Sequence, residues 1–148
     1  MYLLSCLPQL VYQKDGHEIE LLDKYKALHL SWCGQVDNEI YRHFSTKMLE
    51  FAIEFQIEHW LYDAREIECM EVPDKEWCKH YFGKDILRSP IRKIARIASG
   101  NFENETNISG IITTVLKETQ APYEFSYQPD ACTAFEWFAG KSLENDCL

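Results

Sequence analysis

The sequence predicts an α/β domain with a mixed, largely parallel central sheet, an N-terminal antiparallel hairpin and about four helices. The chain has 148 residues, which is the length of one domain. Its apolar residues alternate with polar ones in short segments and recur at helical spacing in longer ones. Because strand-like and helix-like segments alternate along the chain, we expect crossover connections and parallel strand pairing.

The N-terminal segment predicts a hairpin. Apolar residues 10–12 lead into Asp15 and Gly16, a dipeptide that favours the positive φ values of a tight turn, and residues 17–22 can return beside the first strand. We expect residues 1–26 to form a hairpin extension of a single domain spanning residues 1–148. Residues 141–148 are expected to be a disordered tail.

A third strand and the first helix follow the hairpin. Apolar and polar residues alternate over 27–32, and Gly34 is expected to end this strand. Asp37 can cap the next segment by accepting hydrogen bonds from backbone N–H groups. From Ile40 to Phe55 apolar side chains recur at helical spacing, which predicts the clearest amphipathic helix in the chain.

The middle of the chain predicts a strand, a loop and a second helix. Residues 57–62 form a short apolar stretch that ends at Asp63, and a polar loop is expected over residues 64–73. Asp74 has the character of a second N-cap, and Trp77 begins the buried side of the helix that follows it.

The last third of the chain predicts two strands and two helices. Residues 91–99 fit a helix by the spacing of their apolar side chains and a buried strand by their Ile and Ala content, and their context favours the strand. A third helix is predicted over 108–116 and a last strand over 123–127. Asp130 can cap a final helix that Gly140 ends. The expected order is β-β-β-α-β-α-β-α-β-α.

Charge and composition exclude several functions. Twenty-four acidic and fifteen basic residues give a formal net charge of −9, which disfavours binding to nucleic acids. No segment approaches the roughly eighteen apolar residues of a membrane-spanning helix, and the start lacks a signal-peptide pattern, so we expect a cytoplasmic protein without membrane insertion. The cysteines show no zinc-ligand spacing and are expected to be free thiols: Cys6, Cys33, Cys69, Cys78, Cys132 and Cys147.

Two segments carry a resemblance to a known family. They are Leu30-Ser31-Trp32-Cys33-Gly34-Gln35-Val36 before the first helix and Trp60-Leu61-Tyr62-Asp63-Ala64-Arg65 at the end of the next strand. With the order of elements and the helix entered at Asp74, they resemble the STAS superfamily in its SpoIIAA-like branch. The resemblance implies a small cytoplasmic regulator that docks on a partner kinase and is switched by phosphorylation. Other members of that superfamily bind small ligands or regulate transporters.

The phosphorylation switch of that family is not carried over to this chain. The family places a Ser or Thr at the start of the helix after the strand that ends in Asp, but no Ser or Thr occurs from Lys47 to Arg88. Asp74 and Lys75 occupy the neighbourhood of the acceptor. The Asp74 carboxylate either holds the site in a fixed phosphate-like state or is a plain N-cap, which is the commoner role of Asp there.

Metal-binding side chains occur in pairs that do not define a site. Glu39 with His43 and Glu76 with His80 each place two ligands four residues apart on one helix face. Both pairs would have to converge on one ion, and both also fit acidic residues in first helical turns. We therefore expect no metal and no cofactor.

Nucleophilic chemistry also lacks a motif. Cys33 and Cys78 are the nearest candidates, but neither has an oriented base in the sequence pattern. His29 and His59 lie on neighbouring predicted strands, where a histidine usually forms interior hydrogen bonds. The sequence therefore predicts no catalytic residue and a non-enzymatic domain.

The leading hypothesis is a regulatory domain that works through contacts with an unidentified protein partner. An acidic stretch over 66–76 lies beside a basic one over 84–96, which suggests docking on the loop from Asp63 to Asp74 and its flanking helix. The candidate surface comprises Asp63, Arg65, Glu68, Glu71, Asp74, Lys75 and Trp77. A homodimer is a further possibility. The alternative function is a small-ligand or lipid-binding module with a pocket between sheet and helices, suggested by the richness in aromatic residues.

Overall fold

A computed structural model describes residues 7–140, and within that range the chain forms six strands and four helices. In chain order they are β1 (Gln9–Lys14), β2 (His17–Leu22), β3 (Ala27–Val36), α1 (Asn38–Glu54), β4 (His59–Met70), α2 (Lys75–Gly83), β5 (Lys93–Ile97), α3 (Phe102–Thr119), β6 (Glu124–Tyr127) and α4 (Ala131–Phe138). The predicted fold class and order of elements are confirmed. The predicted tail, residues 141–148, lies outside the described residues.

The strands form one mixed sheet in the order β1-β2-β3-β4-β5-β6. β1, β2 and β3 pair antiparallel, and β3 to β6 pair parallel. The predicted hairpin turn is present, because Asp15 and Gly16 have φ values of 52° and 87°. Among the described residues, no helix has the length and apolar character needed to cross a membrane.

The helices divide unequally between the two faces of the sheet. α1, α2 and α3 pack on one face, which we call the three-helix face, against side chains such as Trp32, Trp60 and Ile94. α4 packs on the opposite face, called here the α4 face, where Ala134 and Phe138 contact a smaller apolar cluster. Because side chains alternate along each strand, neighbouring residues of one strand serve different faces.

The central strands are longer than the sequence pattern predicts. β3 continues past Gly34 to Val36, and residues 64–70, expected as a loop, belong to β4. These residues pair with the end of β3, with Gly34 opposite Ile67 and Val36 opposite Met70. Backbone pairing and the inward-facing apolar side chains outweigh the acidic side chains, which point to solvent. The predicted loop is therefore reduced to the short connection before α2.

The ambiguous segment 91–99 contains a strand, as its context predicted. β5 lies between β4 and β6, and four of its five residues, beginning at Ile94, are buried. The three predicted aspartate caps are also confirmed, since the carboxylates of Asp37, Asp74 and Asp130 each accept a hydrogen bond from a backbone N–H in the first turn of α1, α2 and α4.

Candidate functional site

A cavity lies on the three-helix face between the sheet and α3. It is lined by Tyr41, Tyr62, Phe82, Ile94, Arg96, Ile108, Ile112, Val115, Leu116, Tyr123 and Phe125. The cavity volume is about 20 Å³, and the empty space between the lining residues, including the opening to solvent, is about 430 Å³. A cavity of roughly 10–15 Å³ holds one water molecule, so this cavity has room for little more than that.

The position of α3 explains the cavity. The backbone of α3 approaches α2 more closely than it approaches any strand. Ile108 and Val115 are buried in the core, whereas Ile112 and Leu116 are only partly covered. The outer wall of the cavity is therefore a row of aliphatic side chains on one helix, and an outward shift of that helix would enlarge the space.

Tyr62 contributes part of the cavity wall. Its side chain comes from β4, the residue is 5% exposed, and its Oη is fully buried, out of contact with the open space. Burial raises the pKa of Tyr62 well above that of a free phenol, so the hydroxyl keeps its proton. The Tyr81 hydroxyl is the hydrogen-bonding neighbour of the Tyr62 hydroxyl, and it donates its own proton to the Ser45 carbonyl.

A second tyrosine of the wall has a well-formed hydrogen bond. The hydroxyl of Tyr123, which also lines the cavity, donates to the Phe82 carbonyl at 2.7 Å. Buried side-chain atoms without a partner in the described residues include Trp32 Nε1, Arg42 Nε, Ser45 Oγ and Trp60 Nε1. None of those four residues lines the cavity.

Arg96 is the charged group of the cavity wall. It lies on β5, is 3% exposed, and donates from Nε and Nη2 to the two carboxylate oxygens of Glu105 at 2.8 and 3.0 Å. Ser99 donates to the same carboxylate from its backbone N and its Oγ. Burial alone would raise the pKa of Glu105, but the hydrogen bonds from Arg96 and Ser99 outweigh it and lower the pKa. The pair is ionised, mutually neutralised, and ties the start of α3 to the sheet.

The guanidinium has hydrogen-bonding capacity left over. Among the described residues, none accepts a hydrogen bond from Nη1 of Arg96, although the side chain lines the cavity. An arginine carries five N–H donors, so the Glu105 pair uses only part of them. The cavity therefore combines a largely apolar and aromatic lining with one charged side chain, Arg96.

A second polar cluster lies on the α4 face around Asp63. Its carboxylate is largely buried and accepts hydrogen bonds from the backbone N, Nε and Nη2 of Arg65 and, at 3.2 Å, from Nε2 of His29. Burial alone would raise the pKa of Asp63, but the hydrogen bonds from His29 and Arg65 outweigh it and hold the pKa well below its usual range. The carboxylate is therefore ionised and fully paired.

This second cluster is not arranged for acid–base or nucleophilic catalysis. Ser31 Oγ and Asp63 both approach the same nitrogen of His29, Nε2, at 3.4 and 3.2 Å. A relay needs the nucleophile on one ring nitrogen and the carboxylate on the other. The other nitrogen, Nδ1, lies 4.0 Å from Glu20. The cluster links strands β2, β3 and β4.

The structure distributes the predicted docking residues over both faces and the strand ends. Asp63 and Arg65 lie on the α4 face and pair with each other, and Glu68 is an exposed residue of β4. Lys75 is exposed in the first turn of α2, and Trp77 is half-buried against the stacked ring of Tyr81.

Two further residues of that predicted surface have structural partners. Glu71 accepts a hydrogen bond from the backbone N of Asn38 at the start of α1. Asp74 accepts from Trp77 N as the cap of α2 and from Nη2 of Arg42. The geometry matches the plain N-cap interpretation of Asp74, and both acids fix the connection between β4 and α2 against α1.

The basic stretch is not one continuous surface. Arg96 is buried with Glu105, and Nζ of Lys93 donates to the Trp137 carbonyl on the α4 face. Lys84, at the end of α2, and Arg88, on the short turn Asp85–Arg88 that follows, are exposed. The opposition of an acidic and a basic surface, which motivated the docking hypothesis, is therefore weaker than the sequence suggests.

The histidines and cysteines form no metal cluster in residues 7–140. His43 pairs with the Tyr12 hydroxyl, and His80 lies 3.2 Å from Asp85, so the two i,i+4 pairs have other partners. His59 and His29 share the α4 face, and His59 Nδ1 donates to the Tyr25 carbonyl. The described cysteines that are free are Cys33, Cys69, Cys78 and Cys132, while Cys6 and Cys147 lie outside the described residues.

The residues that line the cavity were not singled out in the sequence. Tyr62 fits the apolar alternation of a strand, and Arg96 stands as one of several cations near the middle of the chain. One sequence signal could have indicated Arg96. It lies between Ala95 and Ile97 in a predicted buried strand, and a charged residue in such a strand needs a buried partner of opposite charge.

Strand order, helix placement and cavity together define an α/β domain with a mostly apolar pocket between the sheet and the helices.

No family model matches the chain, and no curated protein matches it. Among solved structures, it is similar to an uncharacterized protein of the DUF3478 family from Shewanella loihica PV-4, described as having a SpoIIAA-like fold. The two share 16% sequence identity over 89% of this chain and 92% of the other, with a TM-score of 0.46. The fold class of this chain rests on its own strand order.

Proposed function

We propose that this protein is a non-enzymatic binding module that holds a mostly apolar small molecule in the cavity between the sheet and α3. The observation that carries the proposal is the cavity itself, which lies under α3 and whose largely apolar and aromatic lining includes the buried side chain of Arg96. An apolar lining with a few polar groups is the usual composition of a small-molecule site.

Ligand entry requires α3 to move. The closed space accepts little more than a water, so a larger molecule binds only a conformation in which α3 stands further from the sheet. The partly covered Ile112 and Leu116 are the side chains that such a shift would expose. Occupation of the cavity would thus be coupled to the position of α3, which offers a regulatory signal to a partner protein.

A pair of substitutions on adjacent residues of α3 tests this proposal. Ile112 lines the cavity, whereas Thr113 is exposed and does not. In isothermal titration with acetophenone as the probe, Ile112→Phe should fill the space and abolish binding, while Thr113→Phe should bind as the unaltered chain does. Circular dichroism and thermal unfolding of both variants establish that each is folded. Equal binding by both variants would overturn the proposal.

Protein docking is the second candidate function, and exposed side chains at the end of β4 support it. Glu66 and Glu68 are exposed, and Val72 is 49% exposed in the connection to α2. An apolar side chain beside acidic ones suits a partner with a basic surface around an apolar contact. Reversal of Glu66 and Glu68 to lysine tests this more cleanly than reversal of Glu71, because Glu71 also binds the start of α1. A pull-down complex that is unchanged by both reversals would remove this candidate.

A further inference from the structure

We propose that α3 bends at Gly110, so that its second half, residues 111–119, moves away from the sheet and opens the cavity while its first half, residues 102–109, stays fixed. This inference rests on the proposed function, because it names the movement that would admit a ligand to the same cavity. It follows from the unequal anchoring of the two halves of α3 and from the residues at the centre of the helix.

The first half of α3 is fixed to the sheet by a buried ion pair. The Glu105 carboxylate accepts two hydrogen bonds from Arg96 of β5 and two from Ser99. Ile108, one turn further along this half, is buried. Separating the partners of a buried ion pair leaves a charge without compensation, which is strongly unfavourable. This half of the helix is therefore costly to detach from the sheet.

The second half of α3 is held less firmly. Its ion pair joins Glu118 to Lys79 of α2 and not to a strand, and the two side chains are 44% and 46% exposed. Ion pairs between such exposed side chains contribute little to stability. Within residues 111–119 only Val115 is buried, whereas Ile112 and Leu116 are partly covered. Moving this half away from the sheet therefore costs less than moving the first half.

The centre of α3 has three features that favour a bend. Ser109 and Gly110 are adjacent, and pairs of glycine and serine are among the usual sites of helix kinks. Thr114 donates from Oγ1 to the Gly110 carbonyl at 2.8 Å, and a side-chain hydrogen bond of this kind often bends a helix. Glycine in a helix interior also stabilises the helix less than alanine does. These features coincide at the boundary between the two halves.

Packing does not account for a glycine at position 110. Gly110 is exposed, and a Cβ added there would have no atom within 4 Å. Its φ is not positive, so an alanine would fit without strain. Gly83 at the end of α2 differs, because a Cβ there would collide with the side chain of Thr119. The freedom of its backbone is therefore the property that distinguishes Gly110 from an alanine.

A bend at Gly110 would open the cavity from one side. Of the side chains that α3 contributes to the wall, Ile108 precedes Gly110, and Ile112, Val115 and Leu116 follow it. Outward movement of residues 111–119 would carry these three side chains away from the sheet. The ion pair between Arg96 and Glu105 would stay intact, so opening would not expose a buried charge without its partner.

Hydrogen exchange of the backbone amides, followed by NMR on the full chain without ligand, tests the bend. A bend at Gly110 interrupts the i→i−4 hydrogen bonds that cross it, which are donated by the N–H groups of residues 111–114. We expect the protection factors of these amides to be at least about fivefold lower than those of residues 106–109 and 115–117. Protection that instead falls steadily toward Thr119, as in fraying from the helix end, would overturn the inference.

Three variants make the exchange test specific to the bend. Gly110→Ala should raise the protection factors of residues 111–114 about fivefold, because alanine favours the unbent helix. Thr114→Ala removes the hydrogen bond to the Gly110 carbonyl and should act in the same direction. Thr106→Ala is the matched control, because Thr106 donates in the same way to the Phe102 carbonyl, and it should change these protection factors by less than about twofold. An equal rise in Gly110→Ala and Thr106→Ala would overturn the inference.

Isothermal titration with acetophenone separates this inference from the proposed function. Gly110→Ala should weaken acetophenone binding about fivefold, because it lowers the population of the open conformation that the probe binds. Acetophenone binding that is unchanged by Gly110→Ala would overturn the inference and leave the proposed function in place. Low protection of residues 111–114 without any acetophenone binding would support the bend and overturn the proposed function.

Discussion

The two faces of the sheet differ in whether all their buried polar groups have hydrogen-bond partners. On the α4 face, the Asp63 carboxylate is matched by Arg65 and His29, and the cluster is complete within the chain. On the three-helix face, the Arg96–Glu105 pair is complete, but among the described residues the buried atoms Trp32 Nε1, Ser45 Oγ and Trp60 Nε1 have no hydrogen-bond partner. Buried polar groups in folded proteins are nearly always hydrogen-bonded, so the three-helix face, which has unpaired groups, is the face on which we look for a bound molecule.

The largest expected effect comes from breaking the ion pair on the three-helix face. Glu105→Gln removes the charge that matches Arg96, and we expect a loss of about 3–5 kcal/mol in the free energy of unfolding, because a buried guanidinium is left uncompensated. Urea denaturation measures it. Glu103→Gln, an exposed residue in the same helical turn, is the control and should change stability by less than about 0.5 kcal/mol. Similar values for both variants would contradict the importance of this pair.

The corresponding change on the α4 face should be smaller. Asp63→Asn keeps the shape but removes the charge that holds His29 and Arg65, and we expect a loss of about 2 kcal/mol. The cost is lower than for Glu105 because the Arg65 side chain is half-exposed and can be hydrated. Glu68→Gln, exposed on the same strand, serves as the control in the same urea experiment. A loss as large as that for Glu105→Gln would show that the two faces are alike.

Removing single hydroxyls sharpens the comparison on the three-helix face. Tyr81→Phe deletes a well-formed hydrogen bond to the Ser45 carbonyl, which keeps its helical partner in α1, and should cost about 1 kcal/mol. Tyr62→Phe deletes a hydroxyl that has no well-formed hydrogen bond and should be neutral or stabilising by up to about 1 kcal/mol. Thermal and urea unfolding of both variants provide the measurement. A destabilised Tyr62→Phe protein would mean that this hydroxyl is already satisfied in the unliganded molecule.

The smallest expected effect is a dependence of stability on pH that both faces share. Burial lowers the pKa of His17 and of His59 below the ordinary value of 6.5. The folded state therefore binds fewer protons than the unfolded state, so the stability that these residues contribute is complete above pH 6.5 and is lost as the pH falls below it. Asp63 and Glu105, whose pKa values are also lowered, begin to lose their contributions only when the pH falls into the ordinary carboxyl range, and the loss continues down to their lowered pKa values.

Urea midpoints at about pH 7.5 and about pH 5.5 isolate the histidine contribution, because the carboxylates stay ionised in both states over this interval. We expect a lower midpoint at the acidic value. His17→Gln and His59→Gln should each reduce the difference between the two midpoints. A midpoint that rises on acidification would contradict the direction of both pKa shifts.

The order of elements could be predicted from the sequence because it depends on local signals. The Asp15-Gly16 turn and the caps at Asp37, Asp74 and Asp130 each act within a few residues of themselves. The extension of β4 to Met70 could not, since it depends on pairing with β3, more than thirty residues earlier in the chain.

The candidate site was less accessible to sequence reasoning for a related reason. A cavity is set by the distance between α3 and the sheet, and no spacing of residues encodes that distance. The sequence suggested a pocket between sheet and helices only as an alternative, from its aromatic content. The hydrogen bond of the Tyr81 hydroxyl depends on the Ser45 carbonyl, which lies 36 residues earlier in the chain and comes into reach only in the folded protein.

Methyl-resolved NMR during titration with acetophenone tests the central claim most directly. The account predicts chemical-shift changes at Ile94, Ile108 and Val115, which line the cavity, and none at Leu61 or Ile97, which belong to the α4 face. Changes confined to the α4 face, or no change at any of these methyl groups at saturating probe, would contradict it.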